Sequence, residues 1–564
     1  MSTATSTPPS AVEKAKLASR HLRGQIVEEL ALATDGFAKE TVHILKFHGI
    51  YQQNDRDARK SGGPNPSTSM VRVSIPGGVV TPRQYLALDR LADEAGDGSL
   101  RVTTRQDMQF HRVSKTNLRA LMRTMNQNLL TTLAGCGDVV RNVVACPAPL
   151  GGAGREETMA YAQALSRRLK PRTRAYYEVW VDGEKAAAAE SRPAEDEPLY
   201  GAAYLPRKFK IAFAAPGDNC VDVYTNDVGI VPMRAGGRLE GFMLLVGGGL
   251  GLSPGVRATH PRLGDPLGMV EPGQLWEVVE AVVAIHRDFG NRSNRKLARL
   301  KYVLDAWGLE RFQTEVETRA GLKLNPAGAL DWHGAHDHLG WHEQADGLWF
   351  LGLRVPDGRI KDREGVRLRT ALRELAQGPM SEIRLTPQQN VLLTGISPEN
   401  RSRIEAVLRA AGVPLVEQLP PILRHSMACP ALPTCGQAVT EAERVSPQVL
   451  ADIGARLGEA GLPDQQVVVR MTGCSNGCAR PLTAEIGLVG ESVDLYRIYL
   501  GGSVLGTRLA ALFASGVPRS EIGARLLPVL LRYRDERTPG ETFGDFCHRV
   551  GPRAPKAEPV AEAG

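Results

Sequence analysis

The feature that most constrains this 564-residue chain is that it is written twice. Arg101-Val-Thr-Thr-Arg-Gln returns as Arg384-Leu-Thr-Pro-Gln-Gln, and Arg141-Asn-Val-Val-Ala-Cys-Pro-Ala returns as Arg424-His-Ser-Met-Ala-Cys-Pro-Ala. Both pairs stand 283 positions apart (384 − 101 and 424 − 141). Ile75-Pro-Gly-Gly-Val-Val resembles Val355-Pro-Asp-Gly-Arg-Ile at a spacing of 280 (355 − 75). The glycine clusters Gly247–Gly249 and Gly501-Gly502 fall late in each half. Ordered matches at nearly one spacing mark an internal repeat. The repeat predicts two related halves, each a small α+β unit followed by a larger one, related by a pseudo-twofold axis. A ligand shared by the halves is expected where they meet.

Helix-like stretches such as Leu275–Phe289 alternate with short strand-like runs such as Met70–Ile75, a mixed α+β pattern. The Ser-, Thr-, Pro- and Ala-rich first ~16 residues and the tail 552–564 are expected to be disordered. The first residues have no apolar core of a secretory signal, and no apolar run is long enough to span a bilayer, so a cytoplasmic chain is expected. Lys and Arg number 69 against 62 Asp and Glu, a net charge of +7. That is mild for this size and includes no basic block; it suits an anionic ligand but argues against nucleic acid.

Eight cysteines are present. Cys136, Cys146, Cys220 and Cys547 are scattered and read as buried small hydrophobes. The other four form two tight pairs, Cys429-x5-Cys435 and Cys474-x3-Cys478, in loops rich in Gly, Pro and Asn. Four thiolates suit iron–sulfur or zinc. The spacings are wider than the usual zinc knuckles and suit a larger object gripped by two separated loops. Zinc and ordinary thiols stay open on spacing alone. On the repeat, only Cys146 has an evident counterpart in the second half, Cys429.

Cys429-x5-Cys435 followed by Thr-Gly-Cys474-Ser-Asn-Gly-Cys478 resembles the signature of the sirohaem-containing sulfite and nitrite reductases. The blocks Phe47-His-Gly-Ile-Tyr-Gln-Gln-Asn-Asp-Arg56, Arg101 to His111, Tyr204-Leu-Pro-Arg-Lys-Phe-Lys210, Val246-Gly-Gly-Gly249 and Gly290-Asn-Arg292 resemble that family in order, from about residue 20 to 550. The likeness leans towards the hemoprotein (beta) components of its assimilatory, NADPH-dependent members. It implies an internally duplicated α+β sulfite/nitrite reductase fold. The implied order is an N-terminal extension (1–60), a ferredoxin-like half-domain (61–130), a sirohaem-binding α+β domain (131–330), a second ferredoxin-like half-domain (331–415) and a cluster and sirohaem domain (416–551). It also implies that Cys429, Cys435, Cys474 and Cys478 ligate a 4Fe–4S cluster, with Cys478 bridging to the sirohaem iron.

Sirohaem carries eight carboxylates and sulfite is an anion, so both need cationic hosts. The resemblance places Arg72, Arg141, Lys208 and Lys210 around the substrate, and Arg101, Thr103, Arg105, Gln109 and His111 along the macrocycle. Lys208 and Lys210 alternate on a strand-like run and so share a face. The implied activity is the six-electron reduction of sulfite to sulfide in sulfur assimilation and cysteine biosynthesis. The alternatives are a sirohaem nitrite reductase or a cluster-only electron carrier. No Rossmann or flavin motif is evident, so the expected electron donor is a separate diflavin NADPH-dependent subunit, or else ferredoxin. Neither a nucleic acid nor a membrane is an expected partner.

Overall fold

The computed structural model describes residues 8–62, 65–150, 153–173, 178–181, 184–188, 197–378 and 380–551. These fall into two compact units. The first comprises the described residues up to Gly249 and from Gly255 to Gln418; the second comprises Leu250–Pro254 and those from Leu419 onward.

In the first unit, Thr68–Val73 and Met108–Val113 lie at the heart of one five-stranded antiparallel sheet, ordered Ile50–Gln53, Thr68–Val73, Met108–Val113, Leu100–Val102, Arg359–Ile360. Its repeat is Gly340–Glu343, Trp349–Leu353, Val391–Ile396, Glu382–Leu385, Val79–Val80. Each sheet ends on a two-residue strand supplied by the other copy. The turns Pro76–Gly78 and Pro356–Gly358 deliver those strands. A Cβ on Gly78 would lie 2.6 Å from the Leu385 carbonyl oxygen, and one on Gly358 would lie 2.2 Å from that of Val102, so both turns require glycine. The exchange explains why the Pro-Gly turns were among the repeated blocks.

The helix Pro82–Ala95 begins with a capping box between Thr81 and Gln84 and buries Tyr85, Leu88, Leu91, Ala92 and Ala95 on one face. Each such leucine contributes about 1.5–3 kcal/mol over an exposed one. Its other partner is the helix Leu368–Ala376, whose Arg369 reaches Asp89 and Asp93 at 2.6 Å each.

The larger sheets repeat as well. In the first unit the order is Val144–Ala145, Ile211–Phe213, Val228–Ala235, Arg238–Val246, Asp265–Val270. In the second unit it is Met427–Ala428, Val469–Thr472, Ile486–Ser492, Leu495–Leu500, Ala511–Pro518. In both, the first three strands are parallel and the last two run antiparallel. The helix expected at Leu275–Phe289 is found with those bounds.

One expectation is corrected. Residues 11–18 are not disordered but form the helix Ala11–Ala18. Its Lys16 is buried, donates to the Leu205 carbonyl at 2.7 Å and pairs with Glu13 at 2.5 Å. The composition of the first ten residues hid the helix-forming run Ala-Val-Glu-Lys-Ala-Lys-Leu-Ala that follows. The tail 552–564 lies outside the described residues.

Candidate active site

Cross-strand pairing assembles a basic row in the first unit. Arg72 pairs with Gln109, Gln109 with Arg101, and Arg101 with Arg359, on four successive strands. Directly paired residues point to one face of a sheet, and His111, two residues beyond Gln109, joins them there. With its amide oxygen turned to Arg72, Gln109 accepts from Nη2 at 2.6 Å and Nε at 3.1 Å. Arg101, Gln109 and His111 are buried. Burial, then Arg359, Arg101 and Arg72, hold the His111 imidazole neutral by pushing its pKa well below the usual value. Among the described residues neither ring nitrogen of His111 has a hydrogen-bond partner.

A second group lies beside the Val140–Phe209 bridge. Phe209 donates to Val139 at 3.0 Å and its carbonyl accepts from Arg141 at 2.9 Å. Phe209 is buried, and its half-buried neighbours Lys208 and Lys210 flank it. Loss of hydration lowers the Lys208 pKa far below that of a free lysine, and Arg207, Lys210 and Arg141 add repulsion. The Tyr51 hydroxyl bonds Arg141, and burial followed by Cys136 raises its pKa. Arg72, Arg141 and Arg207 all act on Tyr51.

The structure therefore brings Arg72, Arg141, Lys208 and Lys210 into one neighbourhood, with Arg101, Gln109 and His111 on the adjoining sheet. Thr103 and Arg105 are used differently. Thr103 Oγ1 accepts from the backbone of Arg105 at 3.1 Å and of Asp107 at 3.3 Å, shaping the turn. The Arg105 guanidinium donates to Asn226 Oδ1 at 2.6 Å and to the carbonyls of Asn142 at 2.5 Å and Ile211 at 2.7 Å. Sequence reasoning missed Tyr51, Arg207 and Arg359. Tyr51 and Arg207 sit inside blocks already noticed, whereas Arg359 comes from the other copy through the exchanged strand.

The four paired cysteines belong to the second unit. Cys429 follows the strand Met427–Ala428 and Cys474 follows Val469–Thr472, on adjacent parallel strands, so the two loops begin side by side. Gly473 N–H donates to Cys429 Sγ at 3.3 Å and Asn476 Nδ2 to Cys474 Sγ at 3.5 Å. Cys429 and Cys474 are buried, Cys435 is intermediate and Cys478 is exposed. Burial, then the neighbouring thiols led by Cys478, raises the Cys474 pKa to about 11 and that of Cys429 well above the ordinary thiol value. Converging thiols of which Cys429 and Cys474 resist ionisation suit a polycationic iron core, which would relieve that repulsion.

Two family models match. One described as the nitrite/sulfite reductase ferredoxin-like half domain covers residues 63–128 and again 342–411. One described as the nitrite and sulphite reductase 4Fe-4S domain covers 160–324. A sulfite reductase (ferredoxin) of Synechococcus elongatus is 44% identical over 96% of this chain and 89% of its own length. A sulfite reductase (NADPH) hemoprotein beta-component of Myxococcus xanthus is 45% identical over 96% of this chain and 97% of its own. This chain belongs to the nitrite and sulfite reductase family. The Mycobacterium tuberculosis NirA protein shares its fold, with a TM-score of 0.79, 24% identity and 96% coverage of both chains. Within this family chain, the match to the 4Fe-4S domain falls on the first copy, whereas the four paired cysteines lie in the second.

Proposed function

We propose that this chain is a sulfite reductase hemoprotein that reduces sulfite to sulfide. The observation that carries the reading is the gathering of Arg72, Arg141, Lys208 and Lys210, where burial, and then repulsion from Arg207, Lys210 and Arg141, pushes Lys208 towards its neutral form. Such a group fits a bound anion and fits the carboxylates of sirohaem. When bound, sirohaem and a 4Fe–4S cluster supply six electrons to the substrate sulfur. Cys429, Cys435, Cys474 and Cys478 would hold the cluster, and Cys478 is the exposed one of the four. Arg101, Thr103, Arg105, Gln109 and His111 would hold the macrocycle.

Arg72 and Arg141 stay protonated and hold the oxyanion by directed N–H donors. Lys208 and Lys210 deliver protons, a task for which the lowered ammonium pKa of Lys208 is suited. Sulfite, six electrons and seven protons balance to hydrosulfide and three waters, so protons must reach all three oxygens. The packed cations also stabilise charge developing on the anion.

Electrons come from a separate protein. A diflavin NADPH-dependent subunit is the preferred donor, because Geobacillus kaustophilus and Myxococcus xanthus relatives are named as NADPH-type beta-components. Ferredoxin is the alternative, since the Synechococcus relative is named for it. Among the described residues no helix is long and apolar enough to cross a membrane. Turnover with reduced viologen tests the reading: sulfide should form from sulfite, with nitrite the poorer substrate. Ammonium from nitrite without sulfide from sulfite would assign the chain to nitrite reduction instead.

A further inference from the structure

Strand register aligns the two copies where their sequence match fades. Val144 pairs with Ala212, and Met427 with Arg470; Ile211 pairs with Val228, and Val469 with Ile486. Residues 144–146 thus correspond to 427–429 at a spacing of 283 (427 − 144), and 211–228 to 469–486 at 258 (469 − 211). The first copy holds 25 extra residues in between (283 − 258). On that register Cys146 answers Cys429, and Cys220 answers Cys478 (478 − 220 is also 258). Two of the four paired thiols therefore have counterparts in the first copy. There they do not stand apart: one ligand atom from each of Cys146, Asp218, Cys220 and His338, all buried, lies within 4.8 Å of all the others.

We infer that Cys146, Asp218, Cys220 and His338 form a mononuclear metal site, suited to zinc, separate from the four-cysteine set. Three edges of the tetrad fit one ion, and Cys220 lies within 4.8 Å of each of the other donors. Zinc at about 2.3 Å from sulfur and about 2.0–2.1 Å from nitrogen and oxygen, at tetrahedral angles, requires edges of about 3.5 Å for S···N and S···O and about 3.3 Å for N···O. The distances are 3.6 Å for Cys146 Sγ to His338 Nε2, 3.9 Å for Cys146 Sγ to Asp218 Oδ2, and 3.2 Å for His338 Nε2 to Asp218 Oδ2. The mixed donors, two thiols with an imidazole and a carboxylate, suit zinc better than a multi-iron cluster.

The surroundings orient the donors. Asp218 Oδ1 accepts from the backbone of Cys220 at 3.0 Å and of His336 at 3.2 Å, which turns Oδ2 towards Cys146 and His338. The segment bearing His338 is tied to the same turn, with His333 N–H donating to the Gly217 carbonyl at 2.7 Å and Asn219 N–H to that of Gly334 at 2.9 Å. Val144, Ala212, Val223 and Leu245 pack in the same apolar cluster as the two thiols, so the pocket is dry. Charge closes too. Two thiolates, one carboxylate and a divalent ion sum to −1, and the Arg155 guanidinium stands 2.9 Å from Cys146 Sγ and 3.3 Å from Asp218 Oδ2. A dry pocket tolerates a metal best when its ligand charge is balanced in this way.

The test is metal analysis of the purified holoenzyme after passage over a chelating resin. About one zinc per chain should remain, and zinc K-edge absorption should show two sulfur neighbours at about 2.3 Å. Cys220→Ala and His338→Gln should each cut zinc at least tenfold while iron content and visible spectrum stay as in wild type. That unchanged spectrum separates metal loss from unfolding, and if one variant fails to fold the other carries the test. Wild type that holds under a tenth of an equivalent even after incubation with Zn²⁺ overturns the site. So does zinc retained equally by both variants, or a zinc shell without sulfur. The inference stands or falls independently of sulfite turnover.

Discussion

The turn after Ile211–Phe213 and the turn after Val469–Thr472 occupy the same place in two copies of one sheet, yet they carry different chemistry. In the second copy Cys474 and Cys478 are accompanied by Cys429 and Cys435, and Cys478 is exposed. In the first copy Cys146 and Cys220 are buried against Asp218 and His338. The cations are divided as unevenly. Lys210 immediately precedes the strand Ile211–Phe213, whereas its counterpart on the register is Val468. A duplicated backbone thus keeps the positions of loops and leaves their side chains free to diverge, so the same turn carries two thiols beside an aspartate and a histidine in one copy and a four-cysteine set in the other.

The sharpest way to break this division is at the two matched cysteines. Cys478→Ser should lower sulfite turnover by about 10³-fold or more, while Cys220→Ala, its counterpart, should leave turnover within about twofold. Viologen-driven sulfide formation measures both, and equal losses would erase the distinction between the copies. Next in size, Arg141→Ala should reduce kcat/KM for sulfite by about 10²–10³-fold with the visible spectrum intact, as expected for a lost anion-stabilising donor. A spectrum that collapses together with activity would make Arg141 structural.

Lys210→Asn should act more selectively. Sulfite carries more charge than nitrite and has three oxygens to protonate, so one ammonium favours it by ~1–3 kcal/mol. The ratio of kcat/KM for sulfite to that for nitrite should fall roughly tenfold, and an unchanged ratio would remove Lys210 as the discriminator.

The smallest effect concerns Asp107, whose counterpart at the same spacing of 283 is Asn390 (390 − 107). Both close the same kind of turn: Thr103 N–H donates to the Asp107 carbonyl at 3.0 Å, and Thr386 N–H to that of Asn390 at 2.9 Å. Burial pushes the Asp107 pKa up to about 7, against the pull of Arg72 and Arg105. Between the unfolded value near 3.8 and about 7 the native state binds the extra proton, so this group makes stability fall as pH rises through that window and level off above it. Asp107→Asn gives the first copy the amide of the second and should remove that slope. Melting at pH 5 and pH 7 should then differ less than in wild type, by up to ~2–3 kcal/mol. An unchanged pH dependence would mean that Asp107 is ionised throughout.

Much of this was legible in the sequence because it was local. The repeated blocks revealed the duplication, the cysteine spacing pointed to a cluster, and Arg207-Lys208-Phe209-Lys210 showed alternation on one short run. Three things were decided only by tertiary structure. Arg359 joins the row of Arg72, Gln109 and Arg101 through a strand exchanged between copies, a pairing of residues more than 250 positions apart (359 − 101). Arg105 donates to Asn142, Ile211 and Asn226, partners 37 to 121 positions away that no local pattern announces. Cys220 read as an isolated buried thiol because 25 extra residues in the first copy shift the spacing from 283 to 258, and only hydrogen-bonded register restores its match to Cys478. The physical reason is common to all three. Composition and short-range period fix what a segment can become, but which side chains meet is set by strand pairing over long loops, whose lengths the sequence leaves free to vary.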